Sequence, residues 1–412
     1  MTQQRFLFIH QNFPGQFVHV AEALAQLGHE VVALRIKGRD MPGVKSVVYT
    51  PAAITRPSEL PAARDIETKI GRGMACADAM AQLKAAGFTP TTIVMHPGWG
   101  EALFCKDVWP GARLVMFAEF YYGGQHSDYN FDPEFAHETL GGRAQLRLKN
   151  SVHLHALQAA DAIYTPTFWQ QAQLPPAFKS KSRVIFDGID TQAVKPAARP
   201  LDSFVHLQRA DLRLSAADEV ITFVNRNLEP YRGFHIFMRA LPEILRQRPK
   251  AHCLIVGRDD VSYGLPPANG RSWRQTLLDE VGAQLPADRV HFLGGLAYAD
   301  YLKVIQISRC HVYLTYPFVL SWSCLEAMSA GAVVVASRTA PVQEVISHGV
   351  NGLLFDFFDV AELARQTVAV LAEPDRYKSL GAAARQTVVD RYDLRTRCLP
   401  ELLSLLLQAH QG

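Results

Sequence analysis

The sequence lacks the residue patterns of several protein classes. Its six cysteines lie far apart, with no C-x-x-C pair and no cluster of histidine and cysteine at metal-ligand spacing. This argues against a disulfide framework and predicts reduced, mostly buried thiols. No apolar run approaches the length of a membrane span, and the apolar stretch after the N-terminus is too short for a signal peptide. We expect a cytoplasmic protein, with peripheral contact at the inner face of the membrane left open as an alternative.

A strong charge imbalance is also missing. The formal net charge is +3, and basic and acidic residues nearly balance in both halves of the chain. A dedicated nucleic-acid groove normally shows as a strongly basic face or segment. We therefore expect no nucleic-acid partner.

Common nucleotide and hydrolase motifs are absent. The sequence contains no G-x-x-x-x-G-K-[ST], no G-x-G-x-x-G after the first strand, no G-x-S-x-G and no H-E-x-x-H. It also contains no D-x-D pair that could hold a metal on a diphosphate. If the protein binds a phosphorylated ligand, backbone amides and arginines must carry the charge, and no metal or other cofactor is expected.

Short apolar runs rich in β-branched residues alternate with segments of helical period. The first run, residues 5–10, precedes an amphipathic segment, 16–27, which Gly28 terminates. Further strand-like runs of the first half are 30–34, 91–96, 112–120, 162–165 and 183–186, with helical segments at 65–86 and 150–160. This alternation predicts a mostly parallel sheet with helices on both faces.

A second series of the same kind follows the proline-bearing stretch "VKPAARPLDS", which is the best linker candidate. Its strand-like runs are 220–225, 252–257, 290–295, 311–316, 332–337 and 351–355. The α/β pattern therefore predicts two doubly wound, Rossmann-like domains, 1–195 and 210–390. Segment 391–412 contains an amphipathic helix that we expect to pack back on the first domain. Ligands bind beyond the carboxyl ends of parallel strands, so we expect a site in a cleft between facing domains.

Two arginines follow the first strand of the second series, in "VITFVNRNLEPYRGFHIFMRALPEIL". Arg226 leaves the strand end, and Arg232 precedes Gly233 where the next helix starts. Guanidinium groups beside a helix N-terminus suit a diphosphate. The alternative is that both arginines are solvated residues of a βα loop.

The same stretch resembles the "GR-L-x-x-x-K-G-x-x-x-L-I-x-A" segment of retaining GT-B glycosyltransferases of family four. "LEAMSAGAVVVAS" is similar to their "LEAMAxGxPVVAS", "NFPGQFVHVAEALAQLGHEV" to their glycine loop and G-H-E-V, and "RVIFDGID" to their V-I-x-N-G-V-D. The matches follow the family's order from Gly15 to Gly352 and so cover most of the chain.

The resemblance implies a hexosyltransferase of GT-B fold. It would move a sugar from a UDP-, GDP- or ADP-sugar to a carbohydrate, lipid-linked or small-molecule acceptor, with retention at the anomeric carbon and without a bound metal. The setting would be polysaccharide, glycolipid or glycoside synthesis.

The resemblance also assigns residue roles. Arg226 and Arg232 would hold the donor diphosphate and stabilise the charge of the leaving group. Glu326 would accept hydrogen bonds from the ribose hydroxyls, and Gly15 would let the first loop approach the donor. The amides of Ser321, Trp322 and Ser323 would donate to the phosphates.

The sequence departs from the family pattern in two places. The family carries a second glutamate eight positions before the ribose glutamate, and Phe318 occupies that position here. Contacts to the sugar must therefore be arranged differently, or activity is altered. Glu119 ends a strand where relatives often carry a histidine near the sugar, and it could replace that contact.

Two histidines of the first half are further sugar or acceptor candidates. His96 directly follows "TTIVM" and so ends the strand-like run 91–96, although a lone histidine there is more often structural. His126 lies in an aromatic and acidic loop, "EFYYGGQHSDYNFDPEF", with the composition of a carbohydrate platform or of a self-packed surface loop.

The sequence allows two interpretations of Glu326. Ser323 to Glu326 fits the S-x-x-E capping box, in which the glutamate bonds back to the amide of the serine cap. The family resemblance instead directs the carboxylate to a ribose, and an unliganded and a liganded protein could use the two arrangements in turn.

Three functions remain open from the sequence. The leading hypothesis is the retaining glycosyltransferase. A nucleotide-sugar 2-epimerase has the same two-domain architecture, and a sugar-nucleotide-binding protein without transfer activity is suggested by Phe318. An epimerase needs no acceptor, and a binding protein consumes no donor.

Overall fold

The computed structural model describes residues 2–123, 127–199, 203–207, 212–268 and 270–408. It divides into two compact units, one formed by Met1–Gly188 with Arg395–Gly412 and the other by Ile189–Leu394. The sequence analysis placed the break between residues 195 and 210. The structure places it at Ile189 because this residue pairs with Asp393 in a parallel bridge at the other end of the second unit.

The first unit is built on a parallel sheet. Its strands in chain order are β1 (Arg5–Ile9), β2 (Asn12–Phe13), β3 (Glu30–Arg35), β4 (Lys37–Gly38), β5 (Val44–Val48), β6 (Thr92–Met95), β7 (Arg113–Phe117), β8 (Ala162–Thr165) and β9 (Ser182–Val184). The main sheet has the order β5-β3-β1-β6-β7-β8-β9, and the short β2 and β4 pair separately. In β1, Phe6 and Phe8 face one core while Leu7 and Ile9 face the other, so both faces of the sheet are covered.

Helices flank this sheet. They are α1 (Val18–Gln26), α2 (Pro61–Ala85), α3 (Cys105–Val108), α4 (Leu140–Lys149), α5 (Ser151–Ala159), α6 (Phe168–Gln173) and α7 (Pro176–Lys179).

The second unit also contains a parallel sheet. Its strands are β10 (Phe204–Leu207), β11 (Leu212–Ser215), β12 (Val220–Asn227), β13 (His252–Arg258), β14 (Val290–Gly294), β15 (Cys310–Tyr313), β16 (Val333–Ser337) and β17 (Leu353–Phe355). The order is β14-β13-β12-β15-β16-β17, and β10 and β11 form a separate antiparallel pair that the sequence analysis did not predict.

The remaining helices complete the chain. They are α8 (Phe234–Gln247), α9 (Trp273–Val281), α10 (Tyr298–Gln306), α11 (Trp322–Ser329), α12 (Ala340–Gln343), α13 (Val360–Ala372), α14 (Pro374–Arg391) and α15 (Leu399–Leu406). None of the helices described is long and apolar enough to cross a membrane. The six cysteines are buried and free.

The last helix, α15, packs on the first unit. Leu402, Leu405 and Leu406 join the core that contains Phe6 and Phe8. Arg113 on β7 donates a hydrogen bond of 2.8 Å from Nη1 to the carbonyl oxygen of Leu405. The chain therefore returns to its first unit after building the second.

Each sheet reverses its strand order at one point. In the first unit this point lies between β1 and β6, and in the second it lies between β12 and β15. Open parallel sheets bind ligands beyond the carboxyl ends of the strands at such a point. The loops that follow these four strands are therefore the places to look for a site.

Candidate functional site

In the second unit, the loop after β12 makes a tight turn toward α8. Arg226 lies near the end of the strand and is exposed. A 3₁₀ turn, Pro230–Arg232, follows it and ends at Gly233, which has φ +66°. A Cβ at Gly233 would lie 2.2 Å from the Cβ of Leu314, so only glycine fits this close approach between the two loops.

The side chain of Arg232 connects the loop after β12 to the loop after β15. Its side chain is buried, and Nη1 donates hydrogen bonds of 2.8 Å to Thr315 Oγ1 and to the carbonyl oxygen of Val319. The sequence analysis expected Arg226 and Arg232 to face a ligand together. In the structure Arg226 is exposed and Arg232 fixes the loop after β15 through Thr315 and Val319, and a shared role at a ligand stays a prediction.

Phe318 belongs to an aromatic cluster in the same loop. Its ring centroid lies 4.8 Å from that of Tyr263 and 5.5 Å from that of Tyr231, both edge to face. The Arg232 guanidinium lies 5.6 Å from the Phe318 centroid, within cation–π range. Phe318 is 4% exposed, so the residue in place of the family glutamate is a packing residue.

Glu229 holds the loop after β13. Its Oε1 accepts a hydrogen bond of 3.1 Å from the amide of Ser262, and Oε2 accepts from the amides of Tyr263 and Gly264 at 3.1 and 2.9 Å. Glu229 is buried, and the contacts satisfy its carboxylate. The sequence analysis did not single out this residue, although its place just before a proline turn is a cap-like position.

The start of α11 differs from the expected arrangement. Ser321 is the N-cap, and its Oγ accepts from the amide of Ser323 at 3.3 Å. The amide of Ser321 donates to the hydroxyl of Tyr313 at 2.9 Å. The amides of Ser321 and Ser323 therefore have partners within the protein, and their role as phosphate donors stays a prediction. Trp322 lies between them with 42% of its surface exposed.

Glu326 is held by two tyrosines. The hydroxyl of Tyr298 donates to Oε1 at 2.8 Å, and the hydroxyl of Tyr301 donates to Oε2 at 2.6 Å. The predicted capping box from Ser323 to Glu326 is wrong, because the helix is capped by Ser321 and Glu326 therefore falls in its second turn. Burial raises the pKa of Glu326, while the hydrogen bonds from Tyr301 and Tyr298 act in the opposite direction.

Tyr298 and Tyr301 were missed by the sequence analysis. They lie three residues apart on α10, so their side chains share one face of that helix. Burial, followed by the nearby Glu326 carboxylate, raises the pKa of each phenol, so both stay protonated and donate. Tyr298 is 55% exposed and Tyr301 only 8%, so only the first of the two anchors is open to water.

In the first unit, the loop after β1 carries His10 and Gly15. The amide of Asn12 donates to His10 Nδ1 at 3.0 Å, which leaves the proton of a neutral ring on Nε2. Gly15 has φ +50°, and a Cβ there would lie 2.7 Å from Cε1 of His10. The absence of a side chain at Gly15 therefore makes room for the His10 ring, beside any donor contact that the family resemblance implies.

His96 and Glu119 meet at the ends of β6 and β7. The amide of Gly98 donates to His96 Nδ1 at 2.9 Å, and His96 Nε2 lies 3.2 Å from Glu119 Oε2. Trp99 stacks on the His96 ring with centroids 4.1 Å apart. The Glu119 side chain is 44% exposed, so a ligand can reach the carboxylate. The sequence analysis proposed these two residues separately, and the structure brings them together.

Two histidines near this pair are uncharged. Burial and then the nearby His96 lower the pKa of His10 to about 3, and burial lowers the pKa of His153 to about 3. Both rings are therefore neutral at physiological pH. The pair of His96 and Glu119 can accept and orient a hydroxyl group. His126, the remaining candidate, lies outside the described residues.

Two family models match the chain. Residues 27–194 match the glycosyl transferase family 4 group, and residues 206–387 match glycosyl transferases group 1. D-inositol 3-phosphate glycosyltransferase of Segniliparus rotundus is 25% identical over 203 residues, which is 49% of this chain and 42% of the relative. Glycogen synthase of Mycobacterium tuberculosis is 24% identical over 391 residues, 92% and 86% of the two chains. The chain spans less than half the length of the inositol phosphate enzymes that it matches.

Solved structures resemble the whole chain in fold. Sucrose-phosphate synthase from Thermosynechococcus elongatus superposes with a TM-score of 0.71 at 19% identity and covers 98% of both chains. HepE of Anabaena in complex with UDP and glucose superposes with a TM-score of 0.68 at 18% identity, over 98% of this chain and 99% of that one.

Proposed function

The chain belongs to the glycosyl transferase family 4 group, and from this membership we propose that it transfers a hexosyl group from a nucleotide-diphosphate sugar to an acceptor hydroxyl. Its fold is GT-B, with two Rossmann-like α/β units. The observation that carries the proposal is the second sheet, whose reversal point presents an exposed arginine, Arg226, and a buried, anchored carboxylate, Glu326.

Each group has a distinct role in this proposal. The Arg226 guanidinium binds the diphosphate and stabilises the charge that develops on the leaving group. Glu326 accepts hydrogen bonds from the ribose hydroxyls while Tyr301 fixes the carboxylate from the protein side. Arg232 positions the loop after β15 and does so without contact to the donor. His96 and Glu119 orient the acceptor hydroxyl.

Retention and metal independence are part of the proposal. Arginine can carry the diphosphate charge without a metal, and the sequence has no D-x-D pair to hold one. The donor is a UDP-, GDP- or ADP-sugar. The acceptor is a carbohydrate, a lipid-linked sugar or a small molecule, as in polysaccharide, glycolipid or glycoside synthesis, and lipid-linked acceptors would bring the protein to a membrane surface.

A second candidate function rests on Phe318. A buried phenylalanine cannot hydrogen-bond a donor sugar, so a protein that binds nucleotide sugars without transferring them is the alternative. Proton NMR of a reaction with donor alone and with donor plus acceptor separates the possibilities, because an epimerised donor keeps its mass and changes its spectrum. A transferase consumes the donor only with an acceptor, a binding protein leaves it intact, and an epimerase isomerises it without any acceptor.

The donor site can be tested with the two arginines. A thermal-shift panel of nucleotide sugars first identifies the nucleotide, since a ligand of the folded state raises the melting temperature. Arg226→Ala should then weaken binding of that nucleoside diphosphate about ten- to a hundredfold, from the ~1.5–3 kcal/mol of a charged hydrogen bond, and leave the unliganded melting temperature unchanged. Arg232→Ala should lower the melting temperature, because its buried acceptors lose their donor.

Arg246→Ala is the matched control, because Arg246 is an exposed arginine on α8 of the same unit and pairs with Glu243. It should change neither quantity. Unchanged diphosphate binding by Arg226→Ala would show that this arginine is a solvated surface residue and would remove the basis of the donor site.

A further inference from the structure

The first unit contains a cavity of about 630 Å³ that no role above has used. It lies between the loop after β1, the β3 to β4 connection, the segment after β5 and helix α2. Its lining includes Gln11, Ile36, Lys37, Ile54, Thr68 and Arg72. The volume is within the roughly 300–1,000 Å³ of small-molecule sites.

Backbone hydrogen bonds fix one wall of the cavity. The carbonyl oxygen of Gln11 accepts from the amides of Ile36 and Lys37 at 3.0 and 2.7 Å. The loop after β1 is therefore bound to the strand end that carries Lys37. On the opposite wall, Arg72 Nη1 lies 3.4 Å from the carbonyl oxygen of Trp99.

The lining is positively charged. It contains Lys37 and Arg72 and no acidic residue. Lys37 is exposed and forms no ion pair within the part of the chain that the structure describes. Two carboxylates in the first half of α2 have partners of their own, since Asp65 pairs with Lys69 and Glu67 accepts from the amide of Ser58.

One carboxyl group, that of Glu101, interacts electrostatically with Arg72. Glu101 is buried, and the hydroxyl of Tyr49 donates to its Oε1 at 3.1 Å. Burial raises the pKa of Glu101, although Arg72 opposes this shift. The positive charge of Arg72 is therefore at most partly neutralised by the Glu101 carboxyl group. The charge of Lys37 has no carboxylate partner within the part of the chain that the structure describes.

The cavity adjoins the acceptor groups. Gln11 directly follows His10, whose ring centroid lies 4.9 Å from that of Trp99. Trp99 in turn stacks on His96 and accepts the hydrogen bond of Arg72. A molecule with a hydroxyl at His96 and Glu119 therefore has a cationic cavity beside it.

We infer that this cavity binds the anionic group, a phosphate or a carboxylate, of a hydroxyl-bearing acceptor. The inference rests on the proposed function and names the acceptor class. Lys37 and Arg72 contact the anion, and the side-chain polar groups of Gln11 and Thr68 contact the hydroxyl groups of the acceptor.

Titration calorimetry on the full chain, saturated with the nucleoside diphosphate that it binds, tests the inference. Glucose 6-phosphate, glucuronate and glucose serve as the phosphate, carboxylate and neutral probes. We expect one or both anionic probes to bind at least tenfold more tightly than glucose, and the tighter anion identifies the group. Lys37→Gln should weaken anion binding about tenfold and leave glucose binding unchanged, from the worth of one charged hydrogen bond.

Three further variants serve as controls for this test. Arg72→Lys retains the charge and should bind the anion within a fewfold of wild type, whereas Arg72→Gln should lose about tenfold. Lys45→Gln removes an exposed lysine of β5 that does not line the cavity, and it should bind as wild type. The inference is overturned by equal affinity for the three probes or by no binding of either anion. It is also overturned if Lys45→Gln loses as much anion affinity as Lys37→Gln. Failure to bind any nucleoside diphosphate would instead overturn the proposed function.

Discussion

At the scale of single residues, Glu326 shows how one carboxylate can be prepared for a ligand. Its two oxygens each accept a hydrogen bond from a tyrosine, one buried and one half exposed. A carboxylate oxygen has room for a second hydrogen bond. In the proposed donor site, ribose hydroxyls would add to the buried anchor, Tyr301, and displace the more exposed one, Tyr298.

The tyrosine pair gives a prediction about pH. Ionised Glu326 is stabilised by Tyr301, so Tyr301→Phe should raise the pKa of Glu326 further above its unfolded value. A carboxyl group with a raised pKa in the folded state costs stability as pH rises through the interval between its unfolded and folded values. Tyr301→Phe should therefore lose about 1.5–3 kcal/mol of unfolding free energy at neutral pH and less near pH 4, by urea denaturation at both pH values.

Tyr298→Phe is the matched variant for this measurement. Its hydroxyl is half exposed, so water can replace it, and we expect a smaller loss of stability. The donor affinity of Tyr301→Phe should also reach its plateau at a higher pH than that of wild type, because the ribose needs the ionised carboxylate. Equal losses for Tyr301→Phe at both pH values would show that the phenol contributes packing alone.

At the scale of structural elements, three loops of the second unit are tied by buried charged side chains. Arg232 binds the loop after β15, and Glu229 binds the loop after β13. Both residues come from the one turn between β12 and α8. The position of every loop around the second reversal point therefore depends on that turn.

Glu229→Gln tests this dependence. A glutamine offers one acceptor oxygen, so it cannot satisfy the three amides of Ser262, Tyr263 and Gly264 together. We expect a loss of about 1–3 kcal/mol in unfolding free energy and faster hydrogen exchange at these three amides. Glu243→Gln, on the exposed face of α8, should leave their exchange unchanged. Slow exchange at Ser262 to Gly264 in Glu229→Gln would mean that other contacts hold the loop.

The elements themselves were largely predictable from the sequence. The run "AIYT" is strand β8 residue for residue, and the central strands of both sheets fall within three residues of the predicted runs. Uninterrupted apolar runs are typical of parallel strands buried on both faces. The β10 and β11 pair was missed because it directly follows prolines that indicated a linker.

The sequence predicted which residues lie at the site better than it predicted what each of them contacts. Spacing placed His96 and Glu119 at strand ends, and the parallel sheet brought them together. The burial of Arg232 depends on Thr315 and Val319, more than 80 positions away in the chain. The tyrosines that hold Glu326 come from a different helix, and no local pattern indicates such contacts.

At the scale of the whole molecule, the chain combines two α/β units, each with a reversal point that carries polar groups. The first presents His96 and Glu119, and the second presents Arg226 and Glu326. This division matches what a transfer between two substrates requires, since acceptor and donor need separate recognition. Both halves match family models of glycosyl transferases.

Product analysis of the full chain tests this account most directly. The protein is incubated with the nucleotide sugar that the thermal-shift panel identifies, with and without an acceptor mixture of neutral and anionic sugars, in magnesium and in excess EDTA. Mass spectrometry should show nucleoside diphosphate and an acceptor heavier by one hexosyl residue, equally with and without the metal, and proton NMR should show an α-linked product from an α-linked donor. An intact donor in every mixture, or donor consumption that does not depend on an acceptor, would contradict the account.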